Sequence, residues 1–178
     1  TPAGTHLLLD LSPGFSPSYA GEFTVSGGRV FFRATQYAVG QELFVTDGTV
    51  AGTRMVIDLR PGFEGSAPTD LIDIGGTLYF VATSGDTGRE LHRSDGTAAG
   101  TKVVADIAPG FASPTLSQFT VFGNRLLFVC DDGVTGPEPW ISDGTSAGTF
   151  MLADVRPGVI GSNPPEFAVA ANGIAVFA

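Results

Sequence analysis

One motif, Asp-Gly-Thr-x-x-Gly-Thr, occurs three times in this chain at a constant spacing of 48 residues. The copies occupy 47–53, 95–101 and 143–149, and the first five residues match the end of another copy. A fixed period of this length is typical of repeat architectures, in which each repeat is one supersecondary unit. The sequence therefore predicts a single repeat array over residues 1–178.

Each repeat contains four short apolar segments separated by turns, which in the first full repeat are 22–26, 29–34, 42–46 and 54–59. The first two flank Gly27-Gly28, and a glycine pair with positive φ suits a two-residue hairpin. Apolar residues at every second position of 29–34 indicate a strand with one face in a core. A Pro-Gly linker follows the fourth segment and has to leave the sheet, because proline cannot donate to its ladder.

A four-stranded meander repeated through a non-hairpin linker is the blade unit of a β-propeller. We therefore expect an all-β fold, a β-propeller built of four-stranded antiparallel blades. The predicted complete blades are 22–59, 70–107 and 118–155; residues 1–11 would be the last strand of a preceding blade, and 166–178 the first two strands of an incomplete one. Since propellers have about four to eight blades, this would be a partial ring or an arc. A β-solenoid is the alternative, although solenoid repeats are usually shorter and lack the Gly-Gly hairpin.

The segments ELFVTDGT at 42–49, ELHRSDGT at 90–97 and EPWISDGT at 138–145 resemble the bacterial ELWxxDGT repeat. Only Trp140 retains the tryptophan of that pattern, and Phe44 and His92 stand in its place. The resemblance implies tandem repeats in large, exported or surface proteins of bacteria. Secretion or a cell-surface location is thus an expectation from the resemblance.

Charge and composition restrict the partners of this chain. Nine Lys and Arg against 18 Asp and Glu give a net charge of −9, which repels nucleic acid and anionic membrane surfaces. The apolar runs are too short for a transmembrane helix, so no membrane insertion is expected. The single cysteine, Cys130, aligns with Ala34, Ala82 and Ala178, which predicts a small buried residue.

The repeated motif itself is explained by turn chemistry. An aspartate at the start of a turn accepts the amide two residues on, and the next glycine tolerates a left-handed conformation. The residues of this structural turn motif are Asp47, Gly48, Gly52, Asp95, Gly96, Gly100, Asp143, Gly144 and Gly148. Calcium binding at Asp47, Asp95 and Asp143 is the alternative, because carboxylates and loop carbonyls suit a hard cation. No other cofactor is expected.

Two further groups of acidic residues recur with the repeat. Glu42, Glu90 and Glu138 open the third segment, with an arginine such as Arg29 or Arg125, or a loop amide, as expected partner. If the first strands line a central channel, their leading residues form a largely acidic ring at one mouth, to which Asp73 adds a carboxylate. A cationic ligand could bind there. The candidate ligand-binding residues are Glu22, Asp70, Asp73, Gln118 and Glu166.

The chain contains none of the common nucleophile, zinc or phosphate motifs, and its two histidines occupy non-equivalent positions. We therefore expect a non-enzymatic module that binds a protein or glycan through loops that differ between copies, at 35–41, 83–89 and 131–137. A purely structural array and a calcium-stabilised adhesin are the alternatives. Self-association could complete the ring.

Overall fold

The computed structural model describes residues 2–14, 16–110 and 112–177. Apart from one short 3-10 helix at Pro2–Gly4, its regular structure consists of strands. Sheet 1 contains β1 (Gly21–Ser26), β2 (Arg29–Gln36), β3 (Gly40–Thr46) and β4 (Arg54–Met55). Sheet 2 contains β5 (Thr69–Ile74), β6 (Thr77–Ser84), β7 (Gly88–Ser94) and β8 (Lys102–Val103). Sheet 3 contains β9 (Thr115–Phe122), β10 (Arg125–Asp131), β11 (Pro137–Ser142) and β12 (Phe150–Met151), and a terminal hairpin contains β13 (Ala168–Val169) and β14 (Ala175–Val176).

Each sheet is an antiparallel meander in which strands adjacent in sequence pair with one another. The all-β fold and the four-stranded antiparallel sheets expected from the repeat are confirmed. The glycine turns behave as predicted, because Ser26 pairs with Arg29 around Gly27 and Gly28, whose φ values are 56° and 76°. Two consecutive left-handed residues match the twist of a two-residue hairpin.

The fourth strand of each sheet is shorter than the sequence predicts. The apolar segment 54–59 indicates a strand of six residues, but only Arg54 and Met55 pair with β3. One further ladder-like bond follows, from the Val56 amide to the Leu43 carbonyl at 2.8 Å. Beyond it, the amides of Leu59 and Arg60 donate to the Glu42 carboxylate, so a side chain replaces the neighbouring strand as their acceptor.

Residues 6–11 do not form the strand that the repeat predicts. The segment aligns with the fourth strand of a repeat, yet the structure has no regular element between Thr5 and Asp10. It lies against sheet 1, where Gln36 donates to the Leu11 carbonyl at 3.1 Å and Leu11 packs beside Phe32 and Phe44. A fourth strand needs a third strand as its neighbour, and this segment has none to pair with in the described chain.

The terminal hairpin pairs one residue out of the register of the sheets. In the hairpin, Ala168 pairs with Val176. In sheet 2, the residue equivalent to Ala168 is Ile72, and it pairs with Tyr79. Tyr79 aligns with Ala175, so the pairing in the hairpin is shifted by one residue. The cause is the turn: the Ala170 amide donates to Ile174 across three residues, of which Gly173 has a φ of 79°. A two-residue turn needs two consecutive left-handed residues, which Ala171 disfavours. The chain therefore forms a three-residue loop whose last residue is glycine.

This shift reverses the faces of the second strand of the hairpin. Leu78 and Phe80 of β6 are fully buried against sheet 1, but their counterparts Ile174 and Val176 are more than half exposed. Ala175 turns inward and packs against the sheet 3 cluster instead. A one-residue slip moves every side chain of a strand to its opposite face. Of the predicted half-blade 166–178, Ala178 lies outside the described residues.

The sheets stack face to face, with a layer of apolar side chains between each pair. Phe31, Leu43 and Val45 of sheet 1 meet Leu78 and Phe80 of sheet 2 in one cluster. A second cluster joins Tyr79 and Leu91 of sheet 2 to Leu126, Phe128 and Cys130 of sheet 3. The middle sheet therefore buries both faces, which explains the apolar residues at consecutive positions of its second strand.

No helix in the described part of the chain is long and apolar enough to cross a membrane.

Candidate functional site

The Asp-Gly-Thr-x-x-Gly-Thr loops link the third and fourth strands and are closed by their own hydrogen bonds. In the first loop, Asp47 Oδ1 accepts the Thr49 amide at 2.9 Å and the Thr49 hydroxyl at 2.7 Å. The Thr49 hydroxyl in turn accepts the Gly52 amide at 2.9 Å, and Thr53 donates to the Thr49 carbonyl. The same bonds recur in the loops that begin at Asp95 and Asp143. The turn chemistry predicted for the motif is confirmed.

These bonds also lower the pKa of the loop aspartates. The hydroxyl and amide of Thr49 hold the pKa of Asp47 below its usual value, and Thr97 and Thr145 do the same for Asp95 and Asp143. Gly52 is required because a Cβ at that position would collide with the Asp47 carboxylate. The carboxylate therefore accepts hydrogen bonds within its own loop, although it remains solvent exposed.

The glycine that follows each aspartate has a second role, because it touches the neighbouring sheet. A Cβ on Gly96 would lie 2.7 Å from Arg29 Nη1 and 3.1 Å from the Phe31 ring, and one on Gly144 would collide with the Tyr79 hydroxyl. At Gly48 no atom lies within 4 Å of the same point, because no sheet precedes sheet 1 in the described chain. The loops therefore serve as sheet-to-sheet contacts.

Arg29 contributes to this contact and not to a glutamate pair. Its Nη2 donates to the Asp95 carbonyl at 2.6 Å, and Arg54 Nη2 donates to the Gly96 carbonyl at 2.7 Å. Two arginines of sheet 1 thereby hold the loop of sheet 2. The expectation that Arg29 partners a buried glutamate is wrong, because the guanidinium reaches the next sheet instead.

Glu42 and Glu138 are fully buried and bind the linkers that leave their sheets. Glu42 accepts the amides of Leu59, Arg60 and Ser66 at 3.4, 3.4 and 2.9 Å, and the Ser66 hydroxyl at 2.5 Å. Glu138 accepts the amides of Val155, Arg156 and Ser162 and the Ser162 hydroxyl in the same way. The loop-amide alternative for these glutamates is confirmed.

The serine partner is the element that sequence reasoning missed. Ser66 and Ser162 both follow a left-handed glycine, Gly65 and Gly161, so the Gly-Ser pair repeated in the linkers was the available signal. In sheet 2 the aligned residues are Ser113 and Pro114. A proline has neither an amide proton nor a hydroxyl to donate.

Glu90 is consequently short of donors in sheet 2. It is fully buried, and the Ala108 amide of the linker donates to its Oε1 at 3.1 Å. Its Oε2 is buried and has no hydrogen-bond partner among the described residues. Burial raises the pKa of Glu90 to about 7, partly countered by the amides of Ala108 and Ile107 and reinforced by the nearby charge of Asp106. In sheet 3, by contrast, the hydrogen bonds from Ser162, Arg156 and Val155 outweigh burial, and the pKa of Glu138 lies below its usual value.

The predicted acidic ring begins at a bulge that recurs in every sheet. Glu22, Asp70 and Gln118 have φ values of 58°, 58° and 57°, and the pairing of the first strand shifts around each of them. All three side chains, and that of Glu166, are exposed. Glu22 lies 3.8 Å from Arg33 as an ion pair, and Asp70 accepts the Thr69 hydroxyl at 2.6 Å. Their binding role remains a prediction.

Asp73 has a local partner in the hairpin turn. Its Oδ1 accepts the Gly76 amide at 3.1 Å. The turns themselves meet across sheets, because a Cβ on Gly27 would lie 3.0 Å from the Gly76 carbonyl oxygen. Thr24 of β1 also donates to the Leu71 carbonyl of β5 at 3.2 Å. The first strands of sheets 1 and 2 are therefore neighbours, and Asp73 stabilises one of their turns.

The histidine and cysteine have packing environments. The His92 ring lies beside Phe80 in a tilted contact with centroids 5.5 Å apart, as Phe44 does beside Phe32 at 5.7 Å and Trp140 beside Phe128 at 6.3 Å. Burial lowers the pKa of His92, whose Nδ1 lies 3.0 Å from the Glu90 carbonyl. Cys130 is fully buried, like Ala34 and Ala82, and burial raises the pKa of its thiol. Among the described residues, no group of three or more histidine, cysteine or acidic side chains could hold a metal ion.

The loops between the second and third strands differ from sheet to sheet. In sheet 1 the loop exposes Tyr37, with 89% of its surface accessible. In sheet 3 it exposes Val134, while Asp132 Oδ1 accepts the amides of Val134 and Thr135 at 2.8 Å. In sheet 2 it contains Asp86 and a hydroxyl pair, Ser84 with Thr87 at 2.8 Å. Taken together, these loops present an aromatic side chain, carboxylates and hydroxyls at equivalent positions of the three sheets.

No family model and no curated protein matches the chain. Among solved structures, it is similar to the crystal structure of a puromycin hydrolase S511A mutant complexed with PGG, with 15% sequence identity and a TM-score of 0.42. The match covers 91% of this chain and 33% of the hydrolase chain.

Proposed function

We propose that this chain is an arc of a β-propeller that acts as a non-enzymatic binding scaffold for a protein or glycan in an exported bacterial protein. The observation that carries the proposal is that the recurring and the differing positions of the repeat have separate roles. The acidic residues that recur stabilise the fold: the aspartates accept hydrogen bonds within their own loops, and the glutamates accept hydrogen bonds from the linkers. The positions that differ are exposed loops at one end of the sheets.

The face-to-face stacking supports the propeller architecture. Each four-stranded sheet packs on the next through its own apolar layer, and the first strands and their turns are neighbours in space. This is the arrangement expected when the first strands surround an axis. Three sheets of the same topology hold the loops 35–41, 83–89 and 131–137 at equivalent positions.

The loop chemistry suits sugars or polar peptide surfaces. Tyr37 offers an exposed aromatic face, which stacks on apolar ring faces at low entropic cost. Asp86 and Asp131 offer carboxylates that accept hydrogen bonds from hydroxyl groups.

A glycan array and a pull-down against surface proteins test this proposal. We expect retention of specific glycans or proteins, lost on Tyr37→Ala and kept on Val50→Ala. Val50 is exposed in the Asp-Gly-Thr loop at the opposite end of sheet 1, so it is a matched control. Binding that depends on Val50, or catalytic turnover of the retained ligand, would contradict the proposal.

A further inference from the structure

Two cationic side chains lie directly opposite each other at the edge of sheet 2. Arg93 of β7 pairs with Lys102 of β8, so both side chains leave the same face of the sheet. The equivalent pairs in the other two sheets carry one charge or none, and they are Val45–Arg54 and Ile141–Phe150. Like charges at directly opposed positions destabilise a strand pair. The packing of the repeat therefore does not explain this charge pair.

Neither cation is neutralised within the described part of the chain. Arg54, the counterpart of Lys102, donates to the Gly96 carbonyl of the next sheet. The Lys102 ammonium makes no such bond, and neither Lys102 nor Arg93 forms an ion pair with a described residue. Arg93 lies near the Tyr79 hydroxyl, where its charge opposes the rise that burial causes in the pKa of that tyrosine. Both cations are thus available to a negatively charged partner.

A cleft between sheets 2 and 3 brings the two cations to one place. It has a volume of about 280 Å³ and is lined by Arg93, Lys102 and residues 144–146 of the Asp-Gly-Thr loop of sheet 3. Its described lining includes no acidic side chain, whereas a second cleft beside the same cations includes Asp95. Pockets for drug-sized ligands have volumes of about 300 to 1,000 Å³, so this cleft suits a single charged group.

The residues that give this cleft its polar lining differ from those at the boundary of sheets 1 and 2. Val45 stands there in the place of Arg93, and Ala98 in the place of Ser146. Ser146 is exposed, and its hydroxyl has no hydrogen-bond partner among the described residues. A second cation and an unused hydroxyl are therefore added at one cleft, on a loop whose closing hydrogen bonds are kept.

We propose that the cleft formed by Arg93, Lys102 and Ser146 binds a sulfate or phosphate group. The planar guanidinium of Arg93 offers parallel N–H donors that match such an oxyanion, and Lys102 adds a compact positive charge. The Ser146 hydroxyl can donate a further hydrogen bond. The site lies at the Asp-Gly-Thr end of the sheets, opposite the variable loops proposed to bind a glycan or protein. It is thus a second site, and it does not depend on the proposed function.

The test is an NMR titration of the whole chain with sodium sulfate and with sodium phosphate, at an ionic strength held constant with sodium chloride. The net charge of −9 disfavours non-specific anion binding, so saturable shifts report a defined site. We expect them at the Ser146 amide and the Arg93 Nε. Arg93→Met and Lys102→Met should each weaken the affinity at least about tenfold, because each removes a charge-assisted hydrogen bond. Ser146→Ala should weaken it less, by about threefold.

Arg156→Met is the matched control, because Arg156 is an exposed arginine that lines neither cleft, and the affinity should not change. Lys102 is also exposed, so Lys102→Met should fold, which a thermal melt verifies. Methyl sulfate and methyl phosphate identify the source of the group. If they bind as the inorganic ions do, the group is a substituent of a larger ligand, and binding of the inorganic ions alone indicates a free anion.

Shifts that chloride reproduces at the same ionic strength would overturn the proposal. So would an affinity that both Arg93→Met and Lys102→Met leave intact, or one that falls equally in Arg156→Met. Glycan and protein binding by the loops is measured separately with Tyr37→Ala, so loss of the anion site and loss of the proposed function can be told apart.

Discussion

Glu42 and Glu90 occupy equivalent positions in neighbouring sheets, and both are fully buried, yet their linkers supply different hydrogen-bond donors. Glu42 receives three amides and the Ser66 hydroxyl. Glu90 receives the Ala108 amide, and its Oε2 has no partner in the described part of the chain. Burial raises the pKa of both, and that of Glu90 reaches about 7. The repeat therefore conserves the buried carboxyl but not the donors that keep it ionised. Because these donors come from the linker, the sheet alone does not determine how firmly its linker is held.

The largest effect is expected from removing a fully bonded glutamate. Glu42→Ala leaves the amides of Leu59, Arg60 and Ser66 without their acceptor and opens a cavity beside β3. We expect the free energy of unfolding to fall by about 3 to 5 kcal/mol. Urea unfolding measures it, and Glu90→Ala is the comparison, with a smaller expected loss. Equal losses would show that the missing serine has no energetic consequence.

The next effect is a pH dependence specific to sheet 2. The folded pKa of Glu90 is about 7 against 4.5 for the unconstrained group, so the folded state binds the extra proton between these values. The contribution of Glu90 to stability should therefore be greatest below pH 4.5 and be lost as the pH rises through about 7, by up to about 3 kcal/mol.

Glu90→Gln should remove this slope and be more stable than the parent at pH 8, with little difference at pH 4.5. Glu138→Gln is the control with the opposite sign, because its folded pKa is lowered and its contribution is lost as the pH falls. Urea unfolding at several pH values decides the matter. An unchanged slope in Glu90→Gln would place the pH dependence elsewhere.

A smaller change is expected from the serine itself. Ser66→Ala removes the hydroxyl that donates to Glu42 at 2.5 Å, which should cost about 2 kcal/mol, since hydrogen bonds to charged groups contribute about 1.5 to 3. Ser113→Ala is the matched control in sheet 2, because Ser113 accepts the exposed Arg89 amide and does not serve Glu90. Equal losses in the thermal midpoints of the two variants would refute the assignment.

The smallest effect concerns the turn of the terminal hairpin. Ala171→Gly gives this turn the Gly-Asn pair that sheet 3 has at Gly123 and Asn124. The two-residue turn should then gain about 1 kcal/mol relative to the three-residue loop, because glycine avoids the left-handed penalty. Cross-strand NMR contacts should shift from Ala168–Val176 toward Ala168–Ala175. Unchanged contacts would mean that packing on sheet 3, and not the turn, sets the register.

The sequence by itself determined the period, the all-β class, the four-stranded antiparallel sheets and the closure of the Asp-Gly-Thr loops. These features depend on local chemistry: alternation of apolar residues, glycine at left-handed positions, and an aspartate bonding an amide two residues away. Burial of Cys130 and His92 also followed, because their counterparts in other copies are alanine or aromatic.

The tertiary structure alone decided which groups meet over longer distances. The fourth strand of sheet 1 ends early because linker amides donate to Glu42, and Arg29 donates to the loop of the next sheet. The tertiary structure also left residues 6–11 unpaired and set the hairpin one residue out of register. The physical reason is shared: each outcome depends on whether a neighbouring strand, linker or sheet supplies the partner, and alignment of copies assumes that every repeat has the same neighbours. The Asp-Gly-Thr loop illustrates both contributions. Its own sequence determines the hydrogen bonds that close it. Only the structure shows that Gly96 and Gly144 pack against the preceding sheet, whereas Gly48 has no described neighbour.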